Sequence, residues 1–181
     1  KVDPDYINRA RINGKSLFQF AIELGNAQTL AVLFTHGMEP KEWVPKLAVP
    51  LKFVVQNNDI ATARLLLERG IAETVTPRTS KNGPLHLAAS LDQDQMIELL
   101  LKYEFPINQQ GEQGNTPLHY AVETGSTISI LALLENGADP LIWNSSGKRP
   151  IDLAKELRIP AISDAIKAAA NNFKQNPAAK Q

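Results

Sequence analysis

The 181-residue sequence contains no cysteine, so it has neither a disulfide framework nor a thiolate for catalysis or metal binding. This absence fits a reducing compartment, and we expect a cytoplasmic, intracellular location. Aromatic residues make up only 6% of the chain, and two of them are tryptophan. No apolar run approaches the roughly 18 residues that a membrane-spanning helix needs. We therefore expect no membrane insertion.

The sequence also lacks the patterns that mark common catalytic and cofactor sites. It has no complete phosphate loop and no Gly-x-Ser-x-Gly nucleophile elbow. Gly14-Lys15-Ser16 matches the end of a phosphate loop, but Arg9 stands where the first glycine of that loop is required. The three histidines form no His-x-x-x-His pair, which leaves no usual zinc ligand set. We expect no metal, no cofactor and no enzymatic activity in this chain.

Charge is distributed unevenly although the formal net charge is zero. Residues 82–140 carry one base against eight acids, a net charge of −7, whereas residues 1–81 and 141–181 carry +3 and +4. This distribution lacks the basic stripe that nucleic acids require, so we expect no nucleic-acid binding. Two interpretations of the acidic middle remain open: it attracts a basic partner, or it is ordinary solvated charge.

The stretch GNTPLHYA, which begins at Gly114, predicts the start of a helix. Thr116 has the character of an N-cap residue whose hydroxyl accepts from a backbone N–H in the first turn. Pro117 suits the first helical position, where its missing N–H costs nothing. Leu118 and Ala121 then begin an apolar stripe at helical spacing.

The same pattern recurs at a nearly constant interval. A second strong copy contains Pro84 and His86 in the places of Pro117 and His119, and three weaker copies occur elsewhere. Aligned on Gly114, the five copies start at residues 14, 47, 81, 114 and 147, in steps of 33, 34, 33 and 33. A Thr-Pro-Leu-His-x-Ala motif with a period of about 33 residues is the ankyrin signature. From about residue 10 to residue 172 the chain resembles ankyrin-repeat proteins.

The resemblance implies an all-α ankyrin-repeat solenoid: stacked helix-turn-helix units with finger loops and a concave groove. The predicted organisation is an N-terminal segment or partial repeat (1–13), five repeats (14–46, 47–80, 81–113, 114–146 and 147–172) and a tail (173–181). Repeat two is the most divergent, and repeat five is predicted to be the C-terminal cap. The resemblance also implies structural roles for the motif residues, in which the histidine ring ties down the helix start: Thr116, Pro117, His119, Pro84 and His86.

The period predicts where the helices lie. In repeats one, two, three and five they are expected near 17–24 and 27–36, 51–56 and 60–69, 84–91 and 93–103, and 150–157 and 160–172. Glycine follows the second helix in repeats one, two and four, but Glu104 takes that place in repeat three. Because a non-glycine residue in a left-handed cap costs about 1 kcal/mol, we expect this helix end to be built differently.

In proteins of this kind the fingers and the exposed sides of the first helices line a groove that holds protein partners. Trp43 and Trp143 each lie four residues before a repeat start, so they share one finger position. Tryptophan is enriched in binding hot spots, although a tryptophan stacked on a neighbouring finger is the structural alternative. The other predicted partner-binding residues are exposed helix positions and finger-tip residues: Glu23, Leu24, Leu91, Glu112, Gln113, Asn115 and Glu123. The glutamates, with Glu156, favour a basic peptide.

We therefore expect a protein–protein interaction module that binds a protein or peptide, preferably a basic one, and that is a monomer. The alternative is a regulatory domain that docks onto another part, such as an enzymatic domain, of a longer protein. Because the chain begins at Lys1 and its first repeat lacks a polar outer face, we expect it to be part of such a protein. The irregular repeats also resemble those of effectors that intracellular bacteria deliver into host cells, which would place the chain in the host cytosol.

Overall fold

The computed structural model describes residues 4–38, 50–70 and 82–175 of the chain. The chain forms two compact units, Lys1–Val75 and Thr76–Gln181. Nearly all regular structure in the described residues is helical, which confirms the all-α ankyrin-repeat class. Trp43 and the turn before the second repeat lie outside the described residues.

The first unit consists of a short helix, a small hairpin and two helix pairs. Its elements are α1 (Pro4–Arg9), β1 (Arg11–Ile12), β2 (Lys15–Ser16), α2 (Leu17–Glu23), α3 (Ala27–Thr35), α4 (Pro50–Gln56) and α5 (Ile60–Glu68). Helix α2 packs on α3 and α4 packs on α5, while α3 also packs on α5. The two pairs therefore share one core, to which Phe18, Leu30, Val55 and Leu66 contribute fully buried side chains.

The second unit contains three helix pairs. They are α6 (Pro84–Ser90) with α7 (Asp94–Lys102), α8 (Pro117–Thr124) with α9 (Thr127–Glu135), and α10 (Pro150–Leu157) with α11 (Pro160–Gln175). Helix α8 packs between α6 and α10, and α9 packs between α7 and α11. First helices thus form one layer and second helices the other. The largest buried side chains lie between the layers: Met96, Ile97, Leu100, Leu118, Ile130, Leu133, Ile162 and Ile166.

Three of the second helices, α3, α5 and α9, begin at polar residues whose side chains cap the helix. The side-chain oxygens of Asn26, Asp59 and Ser126 accept hydrogen bonds from the backbone N–H three residues later, at 3.0, 3.0 and 3.2 Å. Each cap satisfies one N–H that has no partner inside the helix. The tight turn between the two helices of a pair is therefore fixed by the residue that starts the second helix.

Helix α7 ends in the same way as its equivalents, contrary to the sequence-based expectation. Glu104 adopts a φ of +60°, the left-handed conformation that Gly137 adopts at +90° after α9. The N–H of Phe105 donates to the carbonyl of Leu100 at 3.2 Å, as the N–H of Ala138 does to Leu133 at 2.9 Å. The prediction of a different helix end is wrong because these bonds offset a conformational cost of only about 1 kcal/mol.

Both ends of the predicted array carry additional structure. In the N-terminal segment Ile7 on α1 is buried, and the side-chain amide of Asn8 donates to the carbonyl of Gly37 at 3.3 Å. Helix α1, the β1–β2 hairpin and α2 follow one another in the helix–finger–helix order of the repeats. At the other end, α11 continues three residues beyond 172 to Gln175, because Phe173 is buried and extends its apolar face.

Candidate partner-binding face

A buried histidine ties the finger of repeat five to the start of α8. The side chain of His119 is fully buried. Its Nδ1 accepts a hydrogen bond from the backbone N–H of Thr116 at 3.1 Å, and its Nε2 lies 3.2 Å from the carbonyl oxygen of Lys148. Because a carbonyl can only accept, the proton of the neutral ring is on Nε2. One ring therefore holds two stretches of backbone 32 residues apart in fixed positions.

The hydroxyl of Thr116 takes part in the same contact. It lies 2.8 Å from Nδ1 of His119 and makes no hydrogen bond to the helix backbone. The prediction that it accepts from a backbone N–H is therefore wrong, because the ring nitrogen is the nearer partner. Pro117 occupies the first helical position as predicted.

His86 makes the equivalent contacts at the start of α6. Its Nδ1 accepts from the N–H of Gly83 at 3.1 Å, and its Nε2 donates to the carbonyl of Gln109 at 2.8 Å. The ring of Tyr120 packs against it edge-on, with 6.0 Å between ring centroids. The two motif histidines thus have the structural role that the resemblance implied.

Burial lowers the pKa of both His86 and His119 below the ordinary value of 6.5, and the bonds to the carbonyls of Gln109 and Lys148 oppose that effect only in part. Protonation at Nδ1 would also place a proton where the ring now accepts an N–H. The neutral rings are therefore the form that the fold stabilises.

Lowering the pH should destabilise the protein in two steps. Below pH 6.5 the unfolded chain binds protons at these histidines before the folded chain does, so their contribution to stability is lost as pH falls towards the folded pKa. A second loss of stability is expected as the pH falls from 3.8 to about 2, the pKa of Asp152 in the folded chain, because Asp152 becomes protonated there. Urea unfolding midpoints across this range would measure both steps. The variant His86→Gln/His119→Gln should lose the first step only, and an unchanged slope near pH 6 would contradict the assignment.

Repeat five replaces the threonine–histidine contact by an ion pair. Arg149 stands in the cap position and donates from Nε and Nη2 to the carboxylate of Asp152, at 2.7 and 3.0 Å. The backbone N–H of Arg149 also donates to this carboxylate at 3.3 Å, as the N–H of Thr116 does to His119. The hydrogen bonds from Arg149 lower the pKa of Asp152 to about 2. Arg149 and Asp152 stand at the positions of the motif threonine and histidine. Their opposite charges were the signal in the sequence for this ion pair, and the family motif alone did not reveal it.

Trp143 projects from the finger just before this ion pair. Its side chain is 56% exposed, and the guanidinium carbon of Arg149 lies 4.5 Å from the ring centroid. The side-chain amide of Gln110 donates to the carbonyl of Trp143 at 2.8 Å. The contact of the ring is therefore with the residue that caps α10, and the cation–π contact holds the indole in position while more than half of the residue stays accessible.

Asn115 does not belong to the exposed set. It is 2% exposed. Its Oδ1 accepts from the side chain of Asn144 at 2.8 Å, and its amide lies 3.5 Å from a carboxylate oxygen of Glu123. The prediction that Asn115 contacts a partner is wrong because the side chain joins two fingers instead. Asn82 stands at the same repeat position and bonds the N–H of Glu112 at 2.8 Å, so this recurrence was the signal of a structural role.

The side chains of Glu112 and Gln113 are exposed at the finger tip, as predicted. The carbonyl of Gln113 accepts from the N–H of Ser145 in the next finger at 2.8 Å. Neighbouring Gly114 has a φ of +70°, and a Cβ there would lie 3.0 Å from the same N atom of Ser145. The two fingers are thus joined through their backbones, which fixes the positions of the tip side chains.

The predicted acidic lean is weaker than the sequence suggested. Glu23 pairs with Lys15 at 2.6 Å in the first unit, and Glu156 pairs with Lys148 at 2.9 Å in the second. In both cases the lysine lies eight residues earlier, at the root of the finger. Such exposed pairs are worth little stability, about 0–1 kcal/mol, but they offset the charge that a partner meets. Eight residues before Glu123 the chain has Asn115 instead of a lysine. The amide of Asn115 is neutral, so this contact does not offset the negative charge of Glu123.

Two predicted apolar contacts are exposed. Leu24 is 57% exposed at the end of α2 and Leu91 is 45% exposed at the end of α6. They lie in different units, so each is assigned only to the surface of its own. Together with Trp143, Glu112, Gln113 and Glu123, Leu91 belongs to what we call the finger face: the fingers 109–116 and 142–149 and the exposed sides and C-terminal ends of α6, α8 and α10.

The parts of the chain that the structure describes lack two features of metalloproteins and membrane proteins. There, no group of three or more His, Asp or Glu residues is arranged to hold a metal ion. No helix in those ranges is both long and apolar enough to cross a bilayer.

The sequence model for ankyrin repeats, in three copies, matches residues 51–142. The chain belongs to the ankyrin-repeat family. Ankyrin repeats are in general protein–protein interaction modules, and the matched residues include His86, His119 and the finger that carries Glu112 and Gln113.

Three curated relatives illustrate the range of proteins that share this similarity. The human transient receptor potential cation channel subfamily A member 1 is 32% identical over 106 residues, covering 58% of this chain and 9% of the channel. An ankyrin repeat protein of fowlpox virus is 33% identical over 109 residues, covering 58% of this chain and 31% of the viral protein. The ADP-ribosylation factor GTPase-activating protein AGD4 of Arabidopsis thaliana is 32% identical over 89 residues, covering 48% of this chain and 12% of that protein. The chain thus spans less than a third of each of these relatives.

Proposed function

We propose that this chain is a non-catalytic interaction module that binds a segment of a protein partner across the finger face, as a monomer and without nucleic acid. The single observation that supports this most is the state of Trp143. The indole is 56% exposed and packs against Arg149, and Gln110 holds the backbone of the same residue, so it offers a large contact area with little ordering left to occur on binding.

The other exposed residues of the finger face suggest the chemistry of the partner. Leu91 adds an exposed apolar side chain, while Glu112 and Glu123 add negative charge without a lysine at the finger root. The positive charge of Arg149 is offset by Asp152 at 2.7 Å. We therefore propose a partner segment with an apolar anchor residue and one or two basic residues, rather than a strongly basic peptide.

The experiment is a peptide-display selection on the immobilised chain, followed by calorimetry with the enriched peptides. Trp143→Ala should weaken their binding by at least tenfold, since hot-spot tryptophans contribute about 2 kcal/mol or more. Glu112→Gln/Glu123→Gln should weaken it by about threefold at low salt and less at high salt. Ile128→Gln, in the opposite helix layer, is the matched control. If none of the enriched peptides lost affinity with Trp143→Ala, the proposal would be overturned.

A second candidate function is docking within a longer protein. It is favoured by the small share, 9–31%, that the chain occupies of the three relatives described above. In that case the finger face would bind another part of the same polypeptide. Adding this chain to the remainder of the full-length protein should then give a complex that Trp143→Ala disrupts, and absence of any complex would exclude this candidate.

A further inference from the structure

The outer surface of α9 carries an apolar pair that the finger face does not use. Ile128 is 59% exposed and Leu131 is 41% exposed. Residues three apart on a helix lie on the same side, so the two side chains form one patch. We call Ile128 and Leu131, with the helix surfaces on either side, the outer patch.

These two side chains contribute little to the core. Helix α9 faces the interior with Ser129, Ile130 and Leu133, all of which are fully buried. It is in contact with α7 on one side and α11 on the other. The outer patch is therefore the solvent side of the middle helix in a layer of three.

The neighbouring helices carry different residues at the equivalent positions. By the repeat period, Ile128 corresponds to Gln95 on α7 and Ala161 on α11, both exposed. Leu131 corresponds to Glu98 and Asp164, which are also exposed. Among the three second helices of this unit, only α9 thus carries the apolar pair. Leu131 lies between the two positions occupied by Glu98 on α7 and Asp164 on α11.

The charge around the outer patch is negative on balance. Four carboxylates on the three helices, Asp94, Glu98, Glu135 and Asp164, stand against three ammonium groups, Lys102, Lys167 and Lys174. Lys167 pairs with Asp164 at 3.2 Å, on the side of α11. A positively charged partner would be attracted here, whereas an anionic lipid surface would be repelled.

We propose that the outer patch docks a basic amphipathic helix of a partner protein. Apolar side chains on that helix would cover Ile128 and Leu131, and lysine or arginine beside them would pair with Glu98 or displace Lys167 from Asp164. A helix is the occupant that suits the site because side chains at i and i+3 form a ridge on α9, and such a ridge packs into the groove between side-chain rows of another helix.

This surface lies in the layer of second helices, so it is independent of the finger face. The selection would use an 18-residue helical peptide library on the full chain with the finger-face substitution Trp143→Ala. Enriched peptides should carry apolar residues at i and i+3 or i+4 with at least two lysines or arginines beside them. Their dissociation constants should rise at least tenfold with Ile128→Gln/Leu131→Gln and about threefold with Glu98→Lys, and stay unchanged with Leu91→Gln.

Three results would overturn the proposal. The first is that no peptide is enriched, and the second is that enriched peptides bind Ile128→Gln/Leu131→Gln unchanged. The third is sedimentation velocity showing a dimer of the unsubstituted chain that Ile128→Gln/Leu131→Gln abolishes, since the occupant would then be a second copy. Thermal unfolding of the double variant should be unchanged because both side chains are exposed, so loss of binding cannot be attributed to misfolding.

Discussion

Replacing His119 by alanine is expected to lower the free energy of unfolding by about 3 kcal/mol. The ring is fully buried and bonds the N–H of Thr116 and the carbonyl of Lys148. The buried N–H of Thr116 would lose its partner, which costs about 1–3 kcal/mol. The carbonyl of Lys148, which is half-buried, would lose one of two partners and keep the bond from the N–H of Asn144 at 2.9 Å. The void left by the ring would add to this loss. Urea denaturation followed by circular dichroism would measure the change.

Two further variants test whether the hydrogen bonds are the cause. His119→Gln should lose about half as much, roughly 1.5 kcal/mol, because Gln19 already accepts from the N–H of its cap residue Ser16 at 3.1 Å. His36→Ala should cost no more than about 0.5 kcal/mol, since His36 is exposed although it bonds the carbonyl of Val32 at 2.8 Å. If His119→Ala were no more destabilising than His36→Ala, the contact between fingers and helix starts would not have the importance assigned to it.

Replacing Gly111 by alanine should destabilise the protein by about 2 kcal/mol through overpacking. An added Cβ would lie 2.1 Å from Oδ1 of Asn82 and 3.0 Å from Nε2 of His86. The asparagine side chain can move only by giving up the N–H of Glu112. The histidine ring has less freedom, because it is hydrogen-bonded at both nitrogens. The melting temperature and the urea midpoint should both fall.

Gly83→Ala is the matched control for this substitution. Gly83 has a φ of −79°, and its added Cβ would meet its nearest neighbour, Oε1 of Gln109, at an ordinary 3.5 Å. Alanine there should change stability by no more than about 0.5 kcal/mol, with a gain from the stiffer unfolded chain. In Asn82→Ala/Gly111→Ala the collision with Asn82 is removed and the one with His86 remains. If the double variant were as stable as Asn82→Ala alone, the histidine ring would not be the obstacle to a Cβ at position 111.

The helices were predictable because their starts and ends depend on local chemistry. Proline at the first helical position, a polar cap and a left-handed residue after the last turn act within a few residues. The predicted spans accordingly agree with the observed ones to within about two residues, except at α11. There the outcome depended on Phe173, whose burial requires the rest of the repeat and could not be read from its alanine- and asparagine-rich surroundings.

The finger face was predictable only in part, since it depends on contacts between repeats. Trp143, Glu112, Gln113 and Leu91 are exposed as their repeat positions indicated. Asn115 is buried because Asn144, 29 residues later, bonds its side chain. Likewise, the charge of Glu156 is offset by Lys148, a partner that an inventory of acidic residues does not reveal. Periodicity identifies equivalent positions, but it does not show which of them interact across a repeat boundary.

The reach of His119 into the following repeat has a practical consequence for dissecting the protein. Cutting the chain after residue 146, where the period ends repeat four, would remove Lys148 and leave the Nε2 proton of that ring without its acceptor. A fragment extended by a few residues past Lys148 would keep it. A deletion boundary chosen from sequence alignment therefore differs from one that preserves a folded fragment. A folded fragment must include the finger that follows its last repeat.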